Sequence, residues 1–307
     1  MANKKKPEFL QELQKRFGKI IKFGDSLSLF KIEGSDIRLY VRYSKLHNGG
    51  LAWYGLREKD LQQLVGQPTF LCFLWDKQTE PLLVPLSEYE DVFQSTTPAD
   101  NGQYKAQVIL HEDSTELYIA KAGRFNVEGY LGWKQIENAL DTNHTSSKSD
   151  FTHTQIQTLL GSIGATKAYD IWIPPIDRPK LDWGISRQFS PRESLPYGFG
   201  QVESILGEID VIWLQRGAND IKALFEVEHS TPIYSGLLRF NDIHLVAPNL
   251  RTRFSIVANS ERRSLFTRQL NRPTFKTSGL GELCTLLEYS DVNNWHQRIA
   301  GGSNGGE

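Results

Sequence analysis

The alternation of apolar and polar positions predicts a β-rich first part of the chain. Between residues 26 and 135, short apolar runs alternate with turn signals, and these runs read LSLFKI, IRLYVRY, TFLCFLW, PLLVPL, YKAQVIL and TELYIAKA. Before them, MANKKKPEFLQELQKRF predicts a short amphipathic helix rather than a secretory signal. The segment REKDLQQLVG predicts a further helix, with Leu61 and Leu64 facing a core. The pattern as a whole predicts a β-rich α+β domain over residues 1–142.

The pattern changes after a polar stretch, DTNHTSSKSDFTH at 141–153, which is typical of a linker. Thr152 and Gln155 then form a capping box at the start of a helix that Gly164 is expected to end. Strand-like runs follow at YDIWIP, IDVIWLQ and IKALFEVEH, then a helix, FSIVAN, the helical SERRSLFTRQLN, and LCTLLEYS. The order α-β-β-β-α-β-α-β predicts an α/β fold class for a domain over residues 150–300.

Composition narrows the class of protein. Apolar residues make up 39% and charged residues 23% of the 307 residues, which is typical of a globular protein. No apolar run approaches the roughly 18–20 residues that span a bilayer, so no membrane partner is expected. Cys72 and Cys284 lie far apart in apolar segments, which indicates buried thiols and a reducing, cytoplasmic location. No phosphate-binding loop, dinucleotide fingerprint or zinc spacing occurs.

Charge is concentrated in one stretch. The net charge is −1, but residues 251–276 carry seven basic residues against one acidic residue, a local charge of +6. Such a stretch can hold a phosphate backbone, and an ordinary solvated helix face explains it equally well.

Three carboxylates carry the strongest chemical signal. Asp210 lies near the start of one predicted strand, and Glu226 and Glu228 lie near the end of the next, with a hairpin-like RGAND between the strands. Because side chains alternate along a strand, both glutamates point to the same face, and antiparallel pairing brings Asp210 beside them. Hard oxygen ligands of this kind suit Mg²⁺. The alternative is that the glutamates pair with basic residues such as Lys222 or Arg239, and we favour the metal site.

These residues and the element order resemble the PD-(D/E)XK nuclease superfamily, which has the restriction-endonuclease-like fold. The resemblance covers about residues 150–295. The segments IDVIWL, FEVEHSTPIYSGLLRF and NRPTF also resemble a widespread group of bacterial proteins suspected to be restriction-type nucleases. The resemblance to the superfamily implies that Asp210 and Glu226 ligate Mg²⁺. Glu228 stands where most members carry a lysine, and a minority of restriction enzymes with glutamate there remain active. The resemblance therefore implies that Glu228 is a third ligand or the general base.

Other residues are candidates for supporting roles. Thr231 caps the helix after Glu228, and the free N–H groups of that helix start can hold a phosphate. Gln157 lies where related nucleases have a Glu or Gln near the metal, although a solvent-facing helix position is the favoured alternative. His229 is expected to be a core histidine. The candidate DNA contacts are Thr231, Arg251, Arg253, Arg262, Arg263 and Lys180.

The sequence thus predicts a Mg²⁺-dependent DNA endonuclease of restriction type, in which Mn²⁺ can substitute for Mg²⁺. Double-stranded DNA is the expected partner, with a homodimer and a cognate DNA methyltransferase also expected. The first domain would recognise the DNA sequence or a modified base, although its many aromatic residues are better explained as core. The competing prediction is a catalytically inactive DNA-binding or regulatory protein on a decayed nuclease fold.

Overall fold

The computed structural model describes residues 4–64, 68–140, 151–195, 197–229, 233–250 and 252–302. The chain divides into two units, Met1–Ser147 and Lys148–Glu307. Most of the predicted linker, 141–153, lies outside the described residues. Within those residues, no helix is long and apolar enough to cross a membrane. Strands and helices are mixed in the chain, so the predicted α/β class is confirmed.

The first unit is rich in strands, and all six apolar runs predicted as strands are confirmed. Its strands are β1 Ile20–Lys22, β2 Leu29–Ile32, β3 Arg38–Ser44, β4 Leu46–His47, β5 Leu51–Arg57, β6 Thr69–Trp75, β7 Leu82–Pro85, β8 Gln103–Leu110, β9 Thr115–Ile119 and β10 Gly123–Asn126. Its helices are α1 Lys5–Phe17, α2 Glu58–Gln62, α3 Glu90–Gln94 and α4 Lys134–Leu140. The sequence analysis missed β1, β4, β5, β10, α3 and α4, and α2 is shorter than the pattern predicted.

Helix α1 stabilises the first unit by covering one sheet. The strands of that sheet follow the order β1-β2-β3-β6-β7, and a second set follows the order β10-β9-β8-β5-β4. Phe9 and Leu13 of α1 pack with Leu39 and Val41 of β3. Cys72 lies in the same core and, like Cys284 in the second unit, is a buried free thiol, as predicted.

The second unit carries the predicted carboxylates. Its elements are α5 His153–Thr166, β11 Tyr169–Trp172, α6 Glu203–Gly207, β12 Val211–Gln215, β13 Ile221–Val227, α7 Ile233–Val246, β14 Arg253–Ala258, α8 Arg263–Leu270, α9 Pro273–Ser278, β15 Cys284–Glu288 and α10 Tyr289–Gly302. Its strands follow the order β11-β12-β13-β14-β15. Pairing is antiparallel from β11 to β13 and parallel from β13 to β15.

Helix α5 lies unusually close to this sheet. The predicted capping box is confirmed, because Thr152 and Gln155 exchange hydrogen bonds between side chain and backbone. The prediction that Gly164 ends the helix is wrong, since α5 continues to Thr166. A Cβ atom at Gly164 would lie 2.5 Å from both Ile171 Cδ1 and Trp213 Nε1. Glycine is therefore needed here for close helix–sheet packing rather than for termination.

Helix α10 is the largest element that the sequence analysis missed. Val292 and Trp295 are buried in the same core as Ile163 of α5, and Ile299 packs against that core. The spacing of these three α10 residues follows one helix face, so the signal was present directly after the last predicted strand.

Candidate active site

The candidate active site lies where β12 and β13 pair. Asp210 directly precedes β12, Glu226 lies near the end of β13, and Glu228 follows that strand. The two strands are antiparallel, so the start of one lies beside the end of the other. The Val227 N–H donates to Asp210 Oδ2 at 2.7 Å, which fixes the Asp210 carboxylate next to the glutamates. The structure thus brings the three predicted carboxylates to one end of the hairpin.

Helix α7 covers the two glutamates at Gly236. A Cβ atom at Gly236 would lie 2.8 Å from Glu228 Oε1 and 3.1 Å from Glu226 Cβ. Both side chains therefore face the same helix, as the strand period of two requires. Glu226 is 1% exposed and Glu228 is 2% exposed. Glycine at position 236 lets the helix backbone approach carboxylates that are almost fully removed from water.

Arg239 of α7 neutralises the buried Glu226 carboxylate. Its Nε donates to Oε1 at 2.6 Å and its Nη2 donates to Oε2 at 2.8 Å, which makes a bidentate ion pair. Burial raises the pKa of Glu226 to about 8, Arg239 lowers it, and the two neighbouring carboxylates raise it. The alternative pairing of a glutamate with Arg239 is therefore confirmed, whereas Lys222 pairs with Asp220 instead.

His153, the first residue of α5, belongs to the site and was missed by the sequence analysis. Its Nε2 lies 3.3 Å from Asp210 Oδ2. The hydrogen bond to Asp210 raises the pKa of His153, and burial opposes that effect. The capping box places position 153 at the helix start, but nothing local indicates that this helix start lies against Asp210. Tertiary structure alone reveals the pair.

Gln157 lies one helical turn after His153 and is fully buried. Its Nε2 donates to the Asp210 carbonyl oxygen at 2.9 Å. Its Oε1 has no hydrogen-bond partner among the described residues. The favoured solvent-facing alternative for Gln157 is therefore wrong. A buried amide oxygen without a donor is uncommon in proteins, and here it lies at the carboxylate cluster.

The donor set at this site suits Mg²⁺ or Mn²⁺. Carboxylate oxygens and the unpartnered amide oxygen of Gln157 are hard ligands of the kind that these cations take. Glu226, however, is held by Arg239, and no group of three or more His, Cys, Asp or Glu side chains within the described residues is arranged to hold a metal. The residues fit the cation by chemistry, and binding it would require Glu226 to exchange the guanidinium for the metal.

Two of the arginines that were predicted to contact DNA form contacts within the protein. Arg263 is 6% exposed and forms a buried ion pair with Glu288. The prediction that Arg263 binds DNA is wrong, because a buried and paired guanidinium does not reach a phosphate. Arg262 donates through Nη1 to the carbonyl oxygens of Glu228 at 2.8 Å and His229 at 3.0 Å. It therefore braces the backbone beside the site.

Of the remaining predicted DNA contacts, two are at least partly exposed and two lie outside the described residues. Lys180 is exposed and pairs with Asp177 at 2.8 Å. Arg253, the first residue of β14, is partly exposed. Thr231 and Arg251 lie outside the described residues, so their roles stay predictions.

His229 is exposed rather than part of the core, so that prediction is wrong. Its ring stacks on Tyr289, with ring centroids 6.2 Å apart. Pairing with β14 extends to the Glu228 N–H, which donates to the Val257 carbonyl oxygen, and His229 lies beyond it, so strand alternation does not set the direction of this side chain.

Comparison with known proteins identifies relatives of the second unit. The sequence model of the family described as the type II restriction enzyme NmeDI C-terminal domain matches residues 135–299. The chain is also similar to the type II restriction enzyme NmeDI of Neisseria meningitidis serogroup C, with 30% identity over 182 residues. This similarity covers 55% of the chain and 49% of the relative, so the chain spans about half the length of the curated relative. No solved structure gives a significant match.

Proposed function

Because the chain belongs to the family of the type II restriction enzyme NmeDI C-terminal domain, we propose that it is a restriction-type DNA endonuclease. The family match covers residues 135–299 and so includes the whole candidate site. The curated relative is itself named as a type II restriction enzyme. The reaction would be hydrolysis of phosphodiester bonds in double-stranded DNA.

The order of elements in the second unit supports a restriction-endonuclease-like core of the PD-(D/E)XK type. A helix, three antiparallel strands, a helix and a parallel strand follow one another from α5 to β14. Short helix α6 lies between β11 and β12 without interrupting the pairing. Asp210 and Glu226 occupy the positions in this order where the superfamily carries its acidic residues.

The carboxylates would hold Mg²⁺, and each protein group has a definable task. Asp210 and Glu226 are the proposed ligands, and Glu228 is a third ligand or the general base that takes a proton from the attacking water. The cation would supply an acidic water and neutralise charge that develops on the phosphate. His153 and the Val227 N–H hold the Asp210 carboxylate in one orientation.

The observation that carries the proposal is the burial of Glu226 and Glu228 side by side next to Asp210. Two nearly inaccessible carboxylates beside a third cost free energy to ionise, and a divalent cation can offset that cost. Asp210→Ala and Glu226→Ala should each abolish Mg²⁺-dependent cleavage of genomic DNA while leaving DNA binding largely intact.

A matched control comes from the same hairpin. Asp220 is exposed and pairs with Lys222, so Asp220→Ala should cleave like the wild type. Cleavage by either site variant at the wild-type rate would contradict the assignment of the site.

The competing function, an inactive DNA-binding protein, is favoured by the Arg239 pair. A guanidinium that holds Glu226 in a bidentate pair could be a permanent substitute for the metal. Titration with Mg²⁺ or Mn²⁺ separates the two functions. A rise in melting temperature with metal supports an active site, since a ligand that binds only the folded state stabilises it. No rise in wild type, together with no cleavage, supports the inactive protein.

The proposal also gives the first unit a role in DNA recognition and includes two protein partners. We assign recognition of sequence or of a modified base to the first unit, whose sequence interleaves aromatic and basic residues of the kinds that stack on bases and contact phosphates. Cutting both strands needs two active sites, which favours a homodimer, and a cognate methyltransferase would protect host DNA. Cleavage assays on methylated and unmethylated genomic DNA test these assignments together.

A further inference from the structure

A rigid turn in the second unit presents an isoleucine to solvent. The Asp177 N–H donates to the Pro174 carbonyl oxygen at 2.9 Å, which closes a turn across Pro175 and Ile176. The two consecutive prolines restrict the backbone before the tip. Ile176 at the tip is 74% exposed. Single exposed apolar residues are common on proteins, so exposure alone does not indicate a partner.

Hydrogen bonds from Arg178 fix the backbone at the base of this turn. Arg178 donates through Nε to the Ile173 carbonyl oxygen at 2.9 Å and through Nη2 to the Arg192 carbonyl oxygen at 2.7 Å. The guanidinium also lies over the Trp172 ring at 4.9 Å. These contacts fix the backbone so that Ile176 points toward solvent. Binding a partner would therefore cost little conformational entropy.

The turn belongs to a loop that is attached to the first turns of α5, where the candidate active site begins. The Asp182 N–H donates to Thr158 Oγ1 at 3.0 Å, and Gln155 Nε2 donates to Asp182 Oδ2 at 3.1 Å. Trp172, the last residue of β11, pairs with Ile212 of β12, so the chain enters this turn at the end of the sheet where Asp210 precedes β12. His153, the first residue of α5, contacts Asp210.

We propose that Ile176 packs against the sugars and base edges of duplex DNA in the groove next to the bond that is cut. This inference rests on the proposed endonuclease function. A strand whose phosphate lies at Asp210 would pass the turn that carries Ile176, and Lys180 on the same loop can contact a neighbouring phosphate. An apolar side chain held rigid beside a duplex gains by covering apolar sugar and base surface, and such side chains can also wedge between bases.

The test compares two kinds of contact through their dependence on salt. Binding of the full-length chain to a fluorescein-labelled duplex of mixed sequence is measured by anisotropy, without metal, over a series of salt concentrations. Ile176→Ala should weaken binding about tenfold with an unchanged salt slope, because no phosphate contact is lost. Lys180→Ala should instead reduce the magnitude of the slope by about one.

Two further variants serve as controls. Ile176→Leu should restore affinity to within about twofold of wild type, because it keeps an apolar side chain of the same size. Leu245→Ala removes another exposed apolar side chain, 58% exposed near the end of α7, and should leave affinity unchanged. Melting temperatures of all four variants should match the wild type, since the altered side chains are exposed.

The outcomes separate this inference from the function on which it rests. If the wild type binds and cleaves DNA and Ile176→Ala binds equally well, the contact is refuted and the endonuclease stands. A loss of affinity in Ile176→Ala that comes with a smaller salt slope would also refute an apolar contact. If the wild type neither binds the duplex nor cleaves genomic DNA, the proposed function fails and this inference with it.

Discussion

The acidic end of the β12–β13 hairpin and the basic stretch 251–276 carry opposite charges. The structure brings the predicted acidic residues together, but it uses some of the predicted basic residues for contacts within the protein. In the hairpin, all three carboxylates named from the sequence meet at one place, and two of them are nearly inaccessible to water. In the basic stretch, Arg263 is buried in an ion pair and Arg262 holds backbone carbonyls. The excess of positive charge that suggested a DNA surface is thus partly used inside the protein.

The difference has a physical origin in side-chain length and backbone geometry. Successive side chains of a strand point to opposite faces of the sheet, so the sequence spacing of two glutamates predicts whether they share a face. An arginine has a long side chain and five N–H donors, and it reaches whichever acceptor the fold brings within range. Strand spacing therefore predicted the carboxylate cluster better than a charge count predicted a cationic surface.

Glu228→Lys is the change with the largest expected effect on the acidic region. Lysine restores the residue that most superfamily members carry, but it adds a positive charge where the site is built from negative ones. We expect the metal-induced rise in melting temperature to disappear and cleavage to fall by about a hundredfold or more. Mn²⁺ affinity and cleavage rate should be measured on the same preparation.

Glu228→Gln keeps the size of the side chain and serves as the partner variant if the lysine variant does not fold. Unchanged metal affinity with retained cleavage in either variant would remove Glu228 from the list of ligands.

Arg263→Ala tests the basic region and should act on stability. Removing one partner from a buried ion pair leaves Glu288 without its charge partner, which typically costs about 3–5 kcal/mol. Arg268→Ala removes the same charge from an exposed position of the same helix, α8. Denaturant unfolding should show a large loss for Arg263→Ala and almost none for Arg268→Ala. Equal stability of the two variants, with equal losses of DNA affinity, would restore Arg263 as a DNA contact.

Gly236→Ala should separate activity from stability in the acidic region. Alanine favours a helix interior by up to about 1 kcal/mol over glycine, which offsets part of the crowding against Glu226, Glu228 and Ile256. We expect a small change in melting temperature and a loss of cleavage of about tenfold, because the Glu228 carboxylate is displaced. Adding Glu228→Asp shortens the carboxylate and should recover part of the metal affinity; wild-type cleavage by Gly236→Ala alone would show that this close contact is not needed.

The pH dependence of stability is the smallest expected effect. The pKa of Glu226 is raised from 4.5 to about 8, so the folded state binds this proton more tightly than the unfolded state. The associated stability is present below the unfolded pKa and is lost as pH rises through about 8. As pH rises from 4.5 to about 8, the melting temperature of the metal-free wild type should therefore fall by a few degrees more than that of Glu226→Gln. Parallel curves for the two proteins would show that burial does not raise this pKa.

Local sequence determined the parts of this protein that depend on neighbours along the chain. Strand alternation put Glu226 and Glu228 on one face, and the capping box fixed the start of α5 at His153. The six predicted strands of the first unit and the antiparallel β12–β13 pair have the same local origin, because periodicity and turn residues act within a few positions.

Tertiary structure decided which groups meet across the chain. His153 reaches Asp210, Arg239 holds Glu226, and Gln157 is buried with an unpartnered oxygen only because α5 and α7 pack on the hairpin. Gly236 shows the same dependence, since its role comes from the distance between a helix and a sheet. No local pattern encodes such distances, because they result from how the whole core of the second unit packs.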